Sequence, residues 1–324
     1  MKKIKYEEKY LKSLVEIWNN DVATKTIYKP FTEKTFVQKF INNSYQDKSI
    51  LYVSLINDKP VGFGHAIYRE NNLDTPGYIT CVVVKKEFQR QKIGTKILFS
   101  LEQFLKNNNK TYVRQLFLNP ISLEWYIPNT NNHDHPNAPG VLFNSDWYLF
   151  LVNNGYKING QQQDAYYLNI TNYQMPEDIL NAKLLNAKDG YNITFYNKEK
   201  HYGFEELFKA LNNDLWLEAV NNNLKKDNPD PMLIVEKDNL ILGWTGPLFT
   251  QKSKRGYFAG IGVHPNAQGR GLGKILFSEL LIQSKNNGAE FMSLFTGSEN
   301  PARNMYLKAG FSLVQSFAIL KKEL

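Results

Sequence analysis

The feature that most constrains this chain is a strand–turn–helix pattern that occurs twice at a fixed spacing. The stretch "GIGVHPNAQGRGLGKILFSELL", Gly260 to Leu281, leads from an apolar strand through Pro265 and a glycine-rich turn into an amphipathic helix. A weaker version, "CVVVKKEFQRQKIGTKILFSLEQFL", spans Cys81 to Leu105. Placing Gly94 on Gly273 sets an offset of 179 residues (273 − 94) and brings the two helices into phase. Ile93, Ile97, Leu98, Leu101, Phe104 and Leu105 form one apolar face, and Leu276, Phe277, Leu280 and Leu281 form the other. Ahead of each turn lie paired strand patterns, "KSILYVSLIND" with "KPVGFGHAIYR" around Asp58–Pro60, and "DPMLIVEKD" with "NLILGWTGPLF" around Asp238–Asn239. After each comes a helix closing on glycine plus an aromatic, at Gly155 and Gly310, a C-cap signature.

These repeats define an α+β chain of two tandem domains, each a mixed, mostly antiparallel sheet flanked by helices. The expected boundaries are 1–170 for the first, 171–190 for a helical joint around "MPEDILNAKLLNAKDG", and 191–324 for the second. Gly94 to Gly155 covers 61 residues and Gly273 to Gly310 covers 37, so the first copy carries 24 more (61 − 37). The excess falls in "NPISLEWYIPNTNNHDHPNAPGV", an insert near 119–143 whose Pro, Asn and Gly content predicts a long loop. A length of 324 residues suits two cores. The single Cys81 excludes an internal disulfide framework and a cysteine-based zinc site. The formal charge of +8 is spread over scattered lysines, without the basic arm that nucleic acid calls for. The opening "MKKIKYEEKYLKSLVEIW" is broken by Glu7, Glu8 and Glu16 and does not read as a signal peptide. With no apolar run long enough to span a membrane, a cytoplasmic protein is expected.

A glycine-rich turn at a helix N-terminus presents unpaired N–H groups and the positive end of a helix dipole to an anion. The spacing Gly269-Arg270-Gly271-Leu272-Gly273-Lys274 lacks the later acid of a dinucleotide fingerprint and the hydroxyl of a Walker loop. "VHPNAQGRGLG" followed by "ENPARNMYLKAGF" instead resembles the GNAT N-acetyltransferase superfamily, whose signature is Q-x-x-G-x-G/A after V-x-P. Asn300, Tyr306, Gly310 and Phe311 fit its second motif. The likeness is strong over about 190–324 and weak over 1–170, as in tandem GNAT proteins with one degraded copy.

The resemblance implies an acyltransferase in which a primary amine attacks acetyl-CoA directly, in the C-terminal domain. It implies that Gln268, Gly269, Arg270, Gly271, Leu272, Gly273 and Lys274 hold the coenzyme pyrophosphate. Ile261, Gly262 and Val263 would bind the pantetheine arm, Asn300 and Arg303 would contact the coenzyme, and Tyr306 would protonate the leaving thiolate. No metal is expected. For the base, Glu218, Asp214, Glu299, the loop histidines and the Leu324 carboxylate are candidates, and water is an alternative; the sequence does not choose. A catalytically silent CoA-binding regulatory or scaffolding protein is the competing reading, against which Tyr306 and Asn300 argue.

The first copy reads as inactive. Lys92 stands at the first signature glycine, Leu151 at the tyrosine and Ser145 at the asparagine. Its insert carries Trp125, Tyr126, His133, Asp134 and His135 in one short span, which suggests an acceptor site for a small-molecule amine. An exposed loop with incidental histidines is the plainer alternative.

Overall fold

A computed structural model describes residues 2–45, 48–69 and 75–324. The chain forms two compact units. The first comprises Met1–Ala165, Phe295–Asn300 and Val314–Leu324; the second comprises Tyr166–Leu294 and Pro301–Leu313. These limits depart from the boundaries drawn on the sequence. Residues 295–300 and 314–324 fall with the first unit, and the segment expected as a separate joint falls within the second. Its helix, Glu177–Lys188, is anchored to the long helix Leu272–Asn286 by a Lys183–Glu279 ion pair.

In the first unit a seven-stranded sheet runs in the order Lys2–Lys5, Ser49–Ile56, Lys59–Tyr68, Gly77–Val84, Tyr112–Gln115, Leu320–Glu323, Lys157–Ile158. The last segment of the chain is therefore a strand of the first unit, antiparallel to Tyr112–Gln115 with Leu320 opposite Gln115. A tandem pattern in sequence gives no hint of this exchange, because strand pairing is set by space and not by chain order. The first hairpin turns on Asn57 and Asp58, both at positive φ (49° and 58°), one step earlier than expected, and Lys59–Pro60 already belong to the strand. The helix Ile93–Asn107 buries Ile93, Ile97, Leu98, Leu101 and Leu105 against this sheet, as its periodicity predicts.

The second unit repeats the theme. A four-stranded sheet has the order Asn192–Phe195, Leu233–Lys237, Leu240–Thr245, Ile261–Val263, with a hairpin turn at Asp238 and Asn239. The helix Leu272–Asn286 matches Ile93–Asn107 residue for residue, 15 residues each at the offset of 179. Leu276, Phe277, Leu280 and Leu281 are completely buried in a core with Leu233, Val235, Met292 and Leu294. The shorter helices Asp146–Asn153 and Ala302–Lys308 end at Gly155 (φ +88°) and Gly310 (φ +95°). In each, the residue after glycine donates back to the helix: Tyr156 N–H to Leu151 O and Phe311 N–H to Tyr306 O, both 3.1 Å. Among the described residues, no helix is long and apolar enough to cross a membrane.

Candidate functional site

The site begins where a strand of the second unit splits its loyalties. Arg255–Gly256 pairs in parallel with Phe291–Met292, whereas Ile261–Val263 pairs antiparallel with Gly243–Thr245 on its other side. The Thr245 hydroxyl secures the departure by donating to Gly260 O at 2.9 Å. Ile261–Val263 is the last strand of its four-stranded sheet, so among the described residues no strand pairs with its outer edge. Gly260 and Gly262 are required on the opposite face, because a Cβ at either would strike Trp216 (2.3 Å and 3.0 Å) and, at Gly262, Leu211 (2.5 Å).

Past the strand end, Pro265–Ala267 makes one tight 3-10 turn, capped by His264 Nδ1 accepting from Asn266 N–H (3.2 Å). Gln268 folds back and donates from Nε2 to Val263 O at 3.1 Å, closing the loop. Gly269 (φ +81°) and Gly271 (φ +74°) then carry the chain through left-handed conformations into the helix. Nothing lies within 4 Å of a Cβ built on either glycine. Among the described residues, no N–H from Gly269 to Gly273 donates to a backbone carbonyl. The result is a cleft of about 280 Å³ lined by the strand edge, the glycine turn with Lys274, and Ala302 and Met305 of the following helix.

Of the residues expected from sequence, Ile261, Gly262, Val263, Gln268, Gly269, Gly271, Leu272, Gly273 and Lys274 line this one cleft. Arg270 does not. Its guanidinium pairs with Asp189 (3.0 Å) and lies 4.6 Å from the Tyr191 ring centre. Arg303 is exposed on the helix Ala302–Lys308 and is not among the lining residues. Asn300 clusters with the first unit, where its amide donates to Thr296 Oγ1 at 2.8 Å. Tyr306 sits one residue beyond Met305, buried among Phe258, Phe277, Phe311 and Tyr166. Burial pushes its phenol up to about 12, with Tyr166 adding to the shift, so the hydroxyl keeps its proton at any physiological pH. Among the base candidates, Asp214 and Glu218 are exposed on the helix that carries Trp216, Glu299 accepts from Gln161 Nε2 in the first unit, and Leu324 lies in the first unit, one residue past its last strand. The sequence reading missed Ala302 and Met305, which carry no polar signal. It also missed Asn186, whose role appears only when its helix docks.

The first unit holds the same turn with different contents. Gln89 Nε2 donates to Val84 O (2.9 Å), Arg90 and Lys92 take φ of 62° and 60°, and Lys92 caps the helix as Gly271 does. Over Gly94, however, lies Phe150, whose Cε2 would be 3.2 Å from an added Cβ. Phe150 stacks on Trp147 (5.7 Å, 19°). Counting from the terminal glycines, these two stand where the second unit has Met305 and Ala302. Leu151 takes the place of Tyr306 in the core, and Ser145 caps its helix by accepting from Tyr148 N–H at 3.1 Å.

The insert folds rather than loops. Trp125–Tyr126 pairs antiparallel with Asp134–His135, and Val141–Leu142 pairs with Phe317–Ala318. Trp125 is fully buried, stacks on His135 (5.7 Å) and donates from Nε1 to Asn137 O at 3.0 Å. His135 is buried too, and Asp134 takes an ion pair from Lys29 at 2.7 Å. His133 gives its carbonyl to Ile127 N–H, closing the hairpin. Of the side chains singled out as an acceptor site, Trp125 and His135 are thus packed inside the insert and Asp134 is engaged by Lys29.

Two segments of the chain, residues 13–126 and 193–311, match the model of the acetyltransferase (GNAT) family. The chain belongs to that family, twice over. Among solved structures it is similar to the GCN5-related glucosamine N-acetyltransferase region of a fungal multi-domain GH3 β-N-acetylglucosaminidase (TM-score 0.74, 14% identity, 99% of this chain and 38% of that one). It is also similar to a GCN5-related N-acetyltransferase from Sphaerobacter thermophilus (0.61, 14%, 99% and 95%). A third is a tandem GNAT protein from the clavulanic acid biosynthesis pathway (0.59, 11%, 99% and 98%). At these identities the likeness is one of fold. No curated protein matches the chain by sequence.

Proposed function

We propose that the second unit transfers an acetyl group from acetyl-CoA to a primary amine and that the first unit does not. The observation that carries this reading is the contrast between two like turns, one over an open cleft and one covered by an aromatic ring. The open turn suits a pyrophosphate: its glycines let oxygens reach the backbone, its N–H groups donate to no backbone carbonyl among the described residues, and Lys274 adds charge. The free edge of Ile261–Val263 suits an extended amide-bearing arm, which would add as a pseudo-strand and bring its thioester toward the point where the strands part.

In that arrangement the amine nitrogen attacks the thioester carbonyl, the C–S bond breaks, and the thiolate takes a proton. A strand N–H near Gly262 would polarise the carbonyl. Tyr306, which burial keeps protonated until the thiolate forms, would supply the proton and regain one from solvent. The amine's own proton passes to solvent or to a base that the geometry leaves open. A covalent acyl-enzyme is not required, and Cys81 is ill suited to form one: it lies buried in the first unit, and burial pushes its thiol up to about 12. Calorimetric titration with acetyl-CoA tests the reading. One site per chain, with thiol release in the presence of an amine acceptor, is expected. Two equivalent sites would overturn the division of labour, and binding without turnover on a panel of amines would favour a silent coenzyme-binding protein.

A further inference from the structure

A buried asparagine stands behind the glycine turn, in a place where helix propensity alone would not put one. Asn186 lies near the end of the helix Glu177–Lys188 and is 7% exposed. Asparagine is a poor helix former, and a buried amide without partners is costly. Its Nδ2 is used twice, donating to Ala182 O at 2.9 Å within its own helix and to Arg270 O at 3.1 Å across the sequence. The second bond matters for the site. The Arg270–Gly271 peptide is trans, so its N–H points away from its C=O. Holding the carbonyl on Asn186 therefore fixes the direction of the Gly271 N–H, the central donor of a turn whose N–H groups have no carbonyl partners. Two more contacts brace the same residue from behind: the Arg270–Asp189 pair and the packing of the guanidinium on Tyr191. Each is half-exposed and weak alone, but both draw the Arg270 side chain off the cleft.

We infer that Asn186 is a positioning residue for the coenzyme's pyrophosphate, acting through the Arg270–Gly271 peptide and touching no ligand itself. The inference rests on the coenzyme reading above and adds to it a cause for the turn's orientation. A turn preset in this way loses less conformational freedom on binding, and the benefit is confined to the ligand group the turn holds.

The test compares acetyl-CoA with S-acetylpantetheine, which has the thioester and the arm but no pyrophosphate. Asn186→Leu removes the donor and keeps the number and branching of the side chain's heavy atoms. Asn186→Ala removes it with a residue any helix accepts, should leucine prove too large. For both variants we expect the acetyl-CoA Kd to rise roughly tenfold, in line with one net hydrogen bond. The S-acetylpantetheine Kd should stay unchanged, and kcat at saturating acetyl-CoA should be preserved while its KM rises. A general loosening of the unit would weaken both ligands alike, and that result, or no change for either, overturns the inference. Wild-type protein that binds neither ligand would remove the coenzyme reading as well.

Discussion

The turns Gln89–Gly94 and Gln268–Gly273 share their backbone and differ in what fills the space above it. Both close with a glutamine amide on the carbonyl of the last strand residue, both pass through two left-handed residues, and both open a helix of 15 residues. The fold needs that geometry; it does not need glycine for it. Lys92 adopts φ 60° at a cost of about 1–2 kcal/mol, which a packed domain can absorb. What the first unit gave up is the empty space. Trp147 and Phe150 occupy positions where the second unit has Ala302 and Met305, and the Phe150 ring, stacked on Trp147, lies over Gly94 at the helix start. A duplicated fold can therefore keep its skeleton intact while its ligand site is packed shut.

The largest effect should come from making the second turn like the first. In Gly271→Lys the backbone should hold, since a lysine already occupies the equivalent left-handed position in the first unit. The side chain would then project from a position at which no atom beyond the adjoining backbone lies within 4 Å of its Cβ. We expect acetyl-CoA affinity to fall by at least roughly 100-fold, about 3 kcal/mol, with the thermal transition lowered only modestly. Calorimetry and a melting curve on one preparation check both halves. Retained binding would mean that the open glycines are not what the coenzyme uses.

The next comparison is Tyr306 with Leu151, both buried at matching helix positions. Tyr306→Phe removes a hydroxyl and leaves the ring among Phe258, Phe277 and Phe311. Turnover should drop by roughly 100-fold with the acetyl-CoA Kd unchanged, the pattern for loss of a general acid. An unchanged kcat would show that the thiolate leaves without help from this residue. The wild-type hydroxyl should set no alkaline limit on kcat below about pH 11, because its proton is held up to about 12. The same shift has a sign for stability. A phenol raised from 10.0 to about 12 supports the fold fully below pH 10, and that support is lost as pH climbs through the window to about 12.

How far the sequence could be read follows from which physical signals are local. The helices, their glycine caps, the hairpin at Asp238–Asn239 and the glycine turn are encoded in spacings of a few residues, and each lies where the periodicity predicts. Nine of the expected ligand-side residues line one cleft because they are neighbours in sequence on one strand, turn and helix. The failures are long-range. That Leu320–Glu323 completes the first unit's sheet, that Asn186 reaches the Arg270 carbonyl, and that Arg270 turns to Asp189 all depend on docking across 81 residues or more. The insert is ambiguous for a different reason. Tryptophan and histidine serve equally for a binding surface and for a small aromatic core, and only burial distinguishes them. Trp125 at 0% and His135 at 2% exposure place both in the core.

The smallest effect, and the sharpest test of the comparison, is expected from Lys92→Gly in the first unit. If the lysine alone had closed this site, restoring the signature glycine would reopen it and acetyl-CoA would bind twice per chain. The packing argues otherwise, because the Phe150 ring lies over Gly94 whatever residue stands at position 92. Calorimetry should therefore still give one site. The substitution should instead show in stability: glycine relieves the left-handed strain, and its extra freedom in the unfolded chain takes back part of the gain, leaving about 1 kcal/mol or less. Adding Phe150→Ala removes the cover and costs a few kcal/mol of packing, so the double variant should melt earlier than the wild type and than Lys92→Gly. A second binding site in Lys92→Gly alone would assign the closure to the lysine and reduce Trp147 and Phe150 to ordinary core.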